Sequence, residues 1–356
     1  LPSTQNSLTK NLNIVLLLFT LVAYASPYVS PADAWLAGFF SLTIPVLLLL
    51  HAFLVAYYIV KRKKWYIYSL IALVIGHQYL LASFSVSNSS DITSPSFSVL
   101  SYNVRVFNTY AYLQDENTPG QAMVNWLTTD SADIKCLQEY YNDDQSTVFN
   151  STERLVNRGE YQSYIRPTLV NRIGAEFGLA IFSRFPIVYQ GALALRDSAH
   201  YGIYTDVATS QDTVRIYNVH LQSMSIDEND LSDFERVRNN YSTVFQKLKY
   251  GFISRASQVD NLVAHLQSSP HPVIVCGDFN DLPYSYTYFT LRQQLHNAFE
   301  RAGNGLGFSY NGRLFFLRID NQFYSDALKA GSYRTIRRVT YSDHFPVKTL
   351  YTFTKN

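Results

Sequence analysis

From Trp35 to Val60 the chain runs for 26 residues without one formally charged side chain. Nothing else in the sequence restricts its folding so severely. A helix of about 20 apolar residues spans the hydrocarbon core of a bilayer, and a run of this length is hard to bury in a small soluble domain. Similar runs lie on either side, Ile14 to Val29 and Trp65 to Val86. We read three transmembrane helices, at about residues 13–29, 35–60 and 65–86. The first is short and ends near Pro27 and Pro31, so a secretory signal peptide is the competing reading there. The chain opens on Leu1 rather than Met, and a natural N-terminus ahead of it is expected.

Lys61-Arg62-Lys63-Lys64 separates the second and third runs. Short cationic loops of this kind stay on the cytoplasmic side. The second helix then runs inward and the third outward, so everything beyond Val86 is expected on the external face, which in a bacterium is the periplasm. Residues 88–96 are polar and contain Pro95, the composition of a linker. The soluble domain is expected over 97–356. Taking Lys10 and Lys61 to Lys64 from the 29 cations, and Asp33 and Asp91 from the 27 acids, leaves 24 against 25. A near-neutral domain lacks the basic excess of a protein that neutralises many phosphates of a duplex. Cys136 and Cys276 sit in apolar strand-like runs and are expected as buried free thiols; two cysteines make no disulfide framework.

Phe97 to Phe107 alternates like a strand, and Pro119 to Leu127 has helical spacing with a proline suited to a first turn. A short buried strand is expected at Asp133 to Leu137 and a helix at Asp144 to Arg158, ended by Gly159. Strands follow at Tyr161–Arg166, Phe177–Ser183, Ile187–Leu195, Tyr201–Ala208 and Thr213–Val219. Asp230 to Gln267 fits one or two helices broken around Gly251. Further strands are expected at Val273–Val275, Leu317–Tyr324, near Tyr333–Val339, and at Val347–Phe353. Helices among many strands, with hairpin-like neighbours, predict an α/β domain of two mixed sheets packed face to face and covered by helices.

The chemistry gathers at strand ends. Cys276-Gly277-Asp278-Phe279-Asn280-Asp281 follows the apolar run Pro272 to Val275, and Ser342-Asp343-His344-Phe345-Pro346 closes the domain. A carboxylate and a carboxamide two residues apart, on a chain just leaving a buried strand, can address one phosphate oxygen or one attacking water. The preceding glycine lets the backbone approach closely. Asn103, Glu139 and His220 stand at three more predicted strand ends. Singly, each has an ordinary reading as a bulge residue, a helix-start carboxylate or a core histidine. Together they predict a metal-assisted phosphate-cleaving site.

In this order, the blocks SYNVR, LQE, IFSRFP, YNVHLQS, GDFND, RID and SDHFP resemble the endonuclease/exonuclease/phosphatase superfamily, the metal-dependent phosphoesterases related to deoxyribonuclease I. The resemblance covers Phe97 to Phe353 and implies a four-layer α/β sandwich with the active site at one edge of the paired sheets. It implies Glu139 as the main metal-ligating carboxylate, supported by Asn103 and Asp343, with Mg2+ as the metal and Mn2+ as its substitute. Such hard cations take oxygen ligands and keep several waters. It further implies that Asp278 orients or deprotonates the attacking water, that Asn280 donates to the phosphate, and that His344, paired with Asp320, contacts the scissile phosphate. A carboxylate beside imidazole favours the imidazolium that stabilises a pentavalent transition state. His220 matches a second histidine acting near the phosphate, with Glu176 as a candidate partner.

Two departures bear on substrate. Asn321 follows Asp320 where an aromatic residue is usual, and Tyr141 stands where the nuclease branch often carries a DNA-contacting arginine. Both weaken DNA as a substrate and leave hydrolysis intact. Selection is expected from the loops Asn108–Pro119, Arg166–Glu176, Ser223–Leu231 and Gly303–Arg313. The anchor favours a lipid-type phosphoester at the bilayer, while a tethered nuclease carries the same signature. A catalytically inactive scaffold within a membrane complex is the alternative from another class.

Overall fold

The computed structural model describes residues 2–87, 95–115, 119–194, 201–224 and 234–354. Its N-terminal part is helical, with α1 (Pro2–Ala25), α2 (Leu36–Val60), α3 (Tyr66–Ile75) and α4 (His77–Ser83). Leu8–Tyr28 and Leu36–Val60 are long and apolar enough to cross a membrane. The third span expected over 65–86 is a helix pair bent by 63°, which counts as a span when the pair is taken as one broken helix. Gly76 stands at the corner, where an added Cβ would lie 2.4 Å from the Tyr24 hydroxyl oxygen. Only a residue without a side chain lets the corner close on α1. Polar groups in the apolar helices find each other, as expected where water is absent: Asn13 Nδ2 donates to Tyr58 Oη at 2.9 Å and Thr20 Oγ1 bonds His51 Nε2 at 2.8 Å.

The rest of the chain builds two six-stranded sheets. The first has the order β10 (His296–Asn297), β12 (Asp320–Tyr324), β9 (Val273–Asp278), β8 (Thr213–His220), β7 (Gly202–Ala208), β6 (Ile187–Leu193). The second runs β13 (Leu328–Thr335), β14 (Val347–Phe353), β2 (Phe97–Asn103), β3 (Ile134–Asn142), β5 (Glu176–Ser183), β4 (Gln162–Val170). Both are mixed: β2/β3 and β8/β9 pair in parallel, and the remaining neighbours pair antiparallel. The central strands are buried on both faces; in β9 this shows as the apolar run Val273–Cys276, whereas β2, β3 and β8 also bury polar residues such as Ser98, Gln138 and Asn218.

Three apolar layers hold the sandwich. Between the sheets lie Val99, Ile134, Cys136, Ile181, Ile216, Ile274 and Cys276, with both cysteines free as expected. Outside the second sheet, α5 (Thr109–Tyr112), α6 (Gly120–Thr129) and α7 (Ser151–Gly159) cover a cluster including Met123, Leu127, Tyr140 and Leu155. Ala298, Phe299 and Ala302 of α10 (Ala298–Ala302) join the cluster between the sheets, while outside the first sheet pack α8 (Phe234–Gln267) and α9 (Tyr286–Arg292). That last layer also takes in Tyr24, Ile44, Leu47, Leu48 and Tyr79 from the N-terminal helices. The helices are therefore part of the domain's own core. Their connection is a strand, β1 (Ser85–Val86), paired antiparallel with β11 (Asn304–Gly305), and residues 88–94 of the expected linker lie outside the described residues.

Several local expectations change. The strand expected over Phe97–Phe107 ends at Asn103, and Arg105–Asn108 form a short 3-10 helix. The helix expected from Asp144 begins at Ser151, because Asp143 and Ser146 close a turn first. The strand expected at Leu317 begins at Asp320, and that expected near Tyr333–Val339 spans Leu328–Thr335. α8 runs unbroken through Gly251. A Cβ there would meet Arg255 Nη1 at 2.9 Å, so the glycine makes room for a buried arginine that bonds Asp281 Oδ2 at 3.1 Å. Leu195, the last residue of one expected strand, lies outside the described residues.

Candidate active site

Strand register assembles the site. In the first sheet His220 of β8 lies beside Asp278 of β9, and Asp278 lies beside Asp320 of β12. Three ionisable side chains thus emerge in a row from three adjacent strand ends. The second sheet adds Asn103 from the end of β2, next to Gln138 in β3. The β3–β5 register slips between Leu137 and Tyr140, and Glu139 takes a left-handed φ of 49° at that bulge. A bulge re-aims a side chain, here out of the sheet and into the groove between the sheets. Such backbone in a non-glycine residue costs free energy and persists where the surroundings over-determine it.

Asp278 is the focus. Its Oδ2 accepts from Asn103 Nδ2 at 3.1 Å and Asn280 Nδ2 at 3.2 Å, and Oδ1 accepts from the Asn280 backbone N–H at 2.9 Å. His220 Nε2 lies 3.6 Å and His344 Nε2 3.7 Å from the same Oδ2. Glu139 Oε1 is 3.0 Å from Asn103 Nδ2 and 3.8 Å from His220 Nε2. Gly277 makes this possible: at φ 149°, an added Cβ would sit 1.9 Å from the Val219 carbonyl oxygen.

His344 Nδ1 bonds Asp320 Oδ2 at 2.9 Å, and both residues are buried. Burial alone would depress the histidine, but Asp320 and Asp278 outweigh it and raise its pKa to about 10, so the ring stays cationic through the neutral range. Asp343, opposite, accepts from Ser342 Oγ at 3.1 Å and pairs with Arg105 Nε at 3.4 Å. The groove holds about 350 Å3, with Glu139, His220, Asp278, Asn280, Asp343 and His344 on its polar side.

The expected residues thus meet, with one exception. Glu176 opens β5 opposite Asn142 and Val170, and among the described residues no hydrogen bond or ion pair joins it to His220. His220 faces Glu139 and Asp278 instead. Tyr141 is buried between Phe149 and Phe177, and Asn321 accepts from Arg318 Nη1 at 2.8 Å; neither faces the groove.

Sequence reasoning missed the residues that hold the groove's walls together. Asn218 is fully buried between the sheets, donates to the Leu137 and Ala180 carbonyls at 2.9 Å each, and accepts from Gln138 Nε2 at 2.6 Å. Both lie in singled-out blocks, YNVHLQS and LQE, next to residues already chosen. Ser309 Oγ accepts from the Ile319 and Asp320 backbone N–H groups, and Tyr310 sets its ring edge-on to His344 at 5.4 Å. Nothing in their local sequence marks them.

A cation fits the donor chemistry. Glu139 and Asp343 offer carboxylate oxygens to the groove beside the Asn103 carboxamide, whose Nδ2 donates to Glu139 and Asp278 and whose Oδ1 accepts from the Arg105 N–H. Ligand atoms of Asp278, Asp320 and His344 also lie within 4.8 Å of one another. That buried trio is already spent on its own ion pair, whereas the partly exposed Glu139 and Asp343 face the groove and leave room for waters and substrate.

The sequence profile described as "Endonuclease/Exonuclease/phosphatase family" matches residues 100–344. The chain belongs to this family. A domain of unknown function matches residues 6–83, and no curated protein matches the chain. Among solved structures the chain is similar to an endonuclease/exonuclease/phosphatase from Beutenbergia cavernae DSM 12333, at 14% identity and TM-score 0.53, over 73% of this chain and 72% of that one. It is also similar to the human Nocturnin catalytic domain, at 19% identity and TM-score 0.52, over 74% and 96%. A family member from Bacteroides thetaiotaomicron aligns at 16% identity and TM-score 0.50, over 74% and 100%. At these identities the likeness concerns fold, the four-layer sandwich. Hydrolysis of phosphoester bonds is the general activity of the endonuclease/exonuclease/phosphatase family.

Proposed function

We propose that the chain is a membrane-anchored phosphoesterase that hydrolyses a phosphodiester or phosphomonoester by in-line attack of water and requires a divalent cation, Mg2+ or Mn2+. The observation that carries this reading is the convergence on Asp278 Oδ2 of Asn103, Asn280 and the Nε2 atoms of His220 and His344, within 3.1 to 3.7 Å. Asp278 is suited to orient a water and take its proton. The water oxygen bonds to phosphorus, the P–O bond to the alcohol breaks, and the leaving oxygen receives a proton, for which His220 is the nearest donor on the open side. His344, kept cationic by Asp320, stabilises the charge that accumulates on the phosphoryl oxygens. Asn280 adds a neutral donor. Glu139, Asn103 and Asp343 would hold the cation, which supplies Lewis-acid polarisation of the phosphate when bound.

The N-terminal helices support anchoring by their length and composition. The cationic Lys61–Lys64 loop follows the end of α2 remote from the domain, which supports the catalytic side as external, the periplasm in a bacterium. A panel of plasmid DNA, RNA, phospholipids and a simple phosphodiester, run with and without chelator, tests the activity. Turnover should need Mg2+ or Mn2+ and fall by about 100-fold or more in Asp278→Ala and His344→Ala proteins that still fold. An intact protein inert toward every substrate with every cation would favour the inactive scaffold.

A further inference from the structure

An apolar slot of about 500 Å3 lies beside the catalytic groove, within the roughly 300–1,000 Å3 of cavities that take small ligands. Leu282 and Leu317 belong to the walls of both, so a single layer of side chains separates them. The remaining walls come from α2 (Pro45, Leu49), from α4 (Leu80), and from Phe308 and Phe316 of the loop before β12. Most of its polar groups have partners: Ser83 Oγ and the Tyr284 hydroxyl bond each other at 2.7 Å, and Arg318 donates through Nη2 to the Ala82 carbonyl and through Nη1 to Asn321, which leaves only the buried Arg318 Nε without a hydrogen-bond partner among the described residues. The rest of the lining is apolar, so the slot selects for hydrocarbon.

What covers this slot follows from which elements form it. Leu42 of α2 lines the catalytic groove and Leu49 lines the slot, so the two cavities follow one helix for about 10 Å at 1.5 Å per residue. α2 is one of the helices long and apolar enough to cross a membrane. Val46, Leu49, Leu80, Leu306 and Phe316, all on the slot, are exposed, and so is the neighbouring Phe315. Bare apolar side chains on a membrane-crossing helix face acyl chains rather than water. The loop Leu314-Phe315-Phe316-Leu317 continues that surface to the lip of the groove. The geometry points to a bilayer phospholipid as substrate: one acyl chain enters the slot from the side, and the phosphoester reaches Glu139, Asp278 and His344 without the lipid leaving the membrane. This substrate class rests on the phosphoesterase reading above, while occupancy of the slot does not.

Two measurements on the full chain separate these. In phosphatidylglycerol–phosphatidylethanolamine vesicles carrying a phosphatidylcholine with a photoactivatable acyl chain, irradiation should label peptides containing Leu49, Leu80 or Phe316. A Leu49→Trp/Leu80→Trp protein, with the slot filled, should lose that label by about tenfold. In Mg2+, hydrolysis of a long-chain phospholipid should exceed that of its short-chain, water-soluble analogue by at least about tenfold in kcat/KM. The slot-filled protein should lose this preference yet cleave a simple phosphodiester at the unaltered rate. Labelling without hydrolysis of any ester would sink the phosphoesterase reading and leave the slot as a lipid site. Labelling spread over α1 and α2 alike, or equal rates for both chain lengths, would overturn the proposal.

Discussion

In the proposed mechanism Asp320 acts on the reaction only through His344. It is buried, one strand away from Asp278, and bonds His344 Nδ1 at 2.9 Å, which suits it to hold the imidazolium and its orientation. Asp320→Asn keeps the volume and removes the charge. We expect kcat to fall by about 10- to 100-fold with KM for a simple phosphodiester little changed; an unaltered kcat would make the pair structural. Lys135 makes the opposite point, a charge in the core that the fold would do better without. It is fully buried, with Nζ donating to the Asp130 carbonyl at 2.8 Å and to the Tyr161 hydroxyl. Burial, partly offset by Asp130, lowers its pKa to about 7. The unfolded lysine binds its proton up to a far higher pH, so between about pH 7 and 10 the unfolded state holds more protons and stability rises with pH. The gain is on the order of 1–3 kcal/mol across that window. Below pH 7 lysine is charged in both states and the slope vanishes. His344, whose native pKa lies above its unfolded value, contributes the opposite slope over the same window, so the expected outcome is a difference: from about pH 7 to 9.5 in detergent, thermal midpoints should rise more, or fall less, for the native chain than for Lys135→Met; parallel slopes would rule the lysine out.

At the scale of elements, the site depends on strands stopping in unusual backbone. Gly277→Ala places a Cβ on the Val219 carbonyl one pair before the end of the β8–β9 pairing, so the strands must part or the turn must move. A loss of roughly 3–5 kcal/mol is expected, with hydrolysis abolished; a Tm within a degree or two of the native protein's would show that the strands yield easily. The sequence marked this position, since a glycine before Asp-Phe-Asn has few other uses. It marked Glu139 too, but not the bulge that aims it, because a bulge is a property of two strands in register. Secondary structure was misread where a local rule met a distant partner. Gly251 reads as a helix breaker until Arg255 folds over it, and Leu317 reads as strand although Leu314 to Leu317 form a turn against the slot. Glu176 does not pair with His220 because a loose motif match says nothing of which strand end faces which: Glu176 opens β5 in the second sheet and His220 ends β8 in the first. Asn218 and Gln138 went unnoticed because bridging two sheets leaves no trace in either strand's period.

For the molecule as a whole, the charge-free apolar runs separated the N-terminal quarter of the chain from the domain and ended their reach there. Periodicity left Phe245 and Phe252 as ordinary apolar helix positions and gave no element at all to Phe289, since the pattern of one segment does not name what covers it. The structure covers them with the N-terminal helices. Phe289 meets Tyr28 and Tyr79 at ring separations of 5.5 and 5.0 Å, Phe252 meets Phe39 at 5.2 Å, and Phe245 stacks on Phe39 at 4.7 Å. Removing residues 1–96 would strip all three, orphan Arg318 from the Ala82 carbonyl and leave β11 without β1. Patches of more than a few hundred Å2 of such surface drive association. A fragment over 97–356 should therefore aggregate or bind a hydrophobic dye strongly, while the full chain in detergent runs as a single species. If the helices were only a tether, the fragment would be monodisperse, melt at the same temperature and keep its rate on a soluble ester. Replacing the exposed rings, Phe245→Lys and Phe289→Gln, should restore solubility to the fragment without restoring long-chain preference, because Pro45, Leu49 and Leu80 would still be missing from the slot.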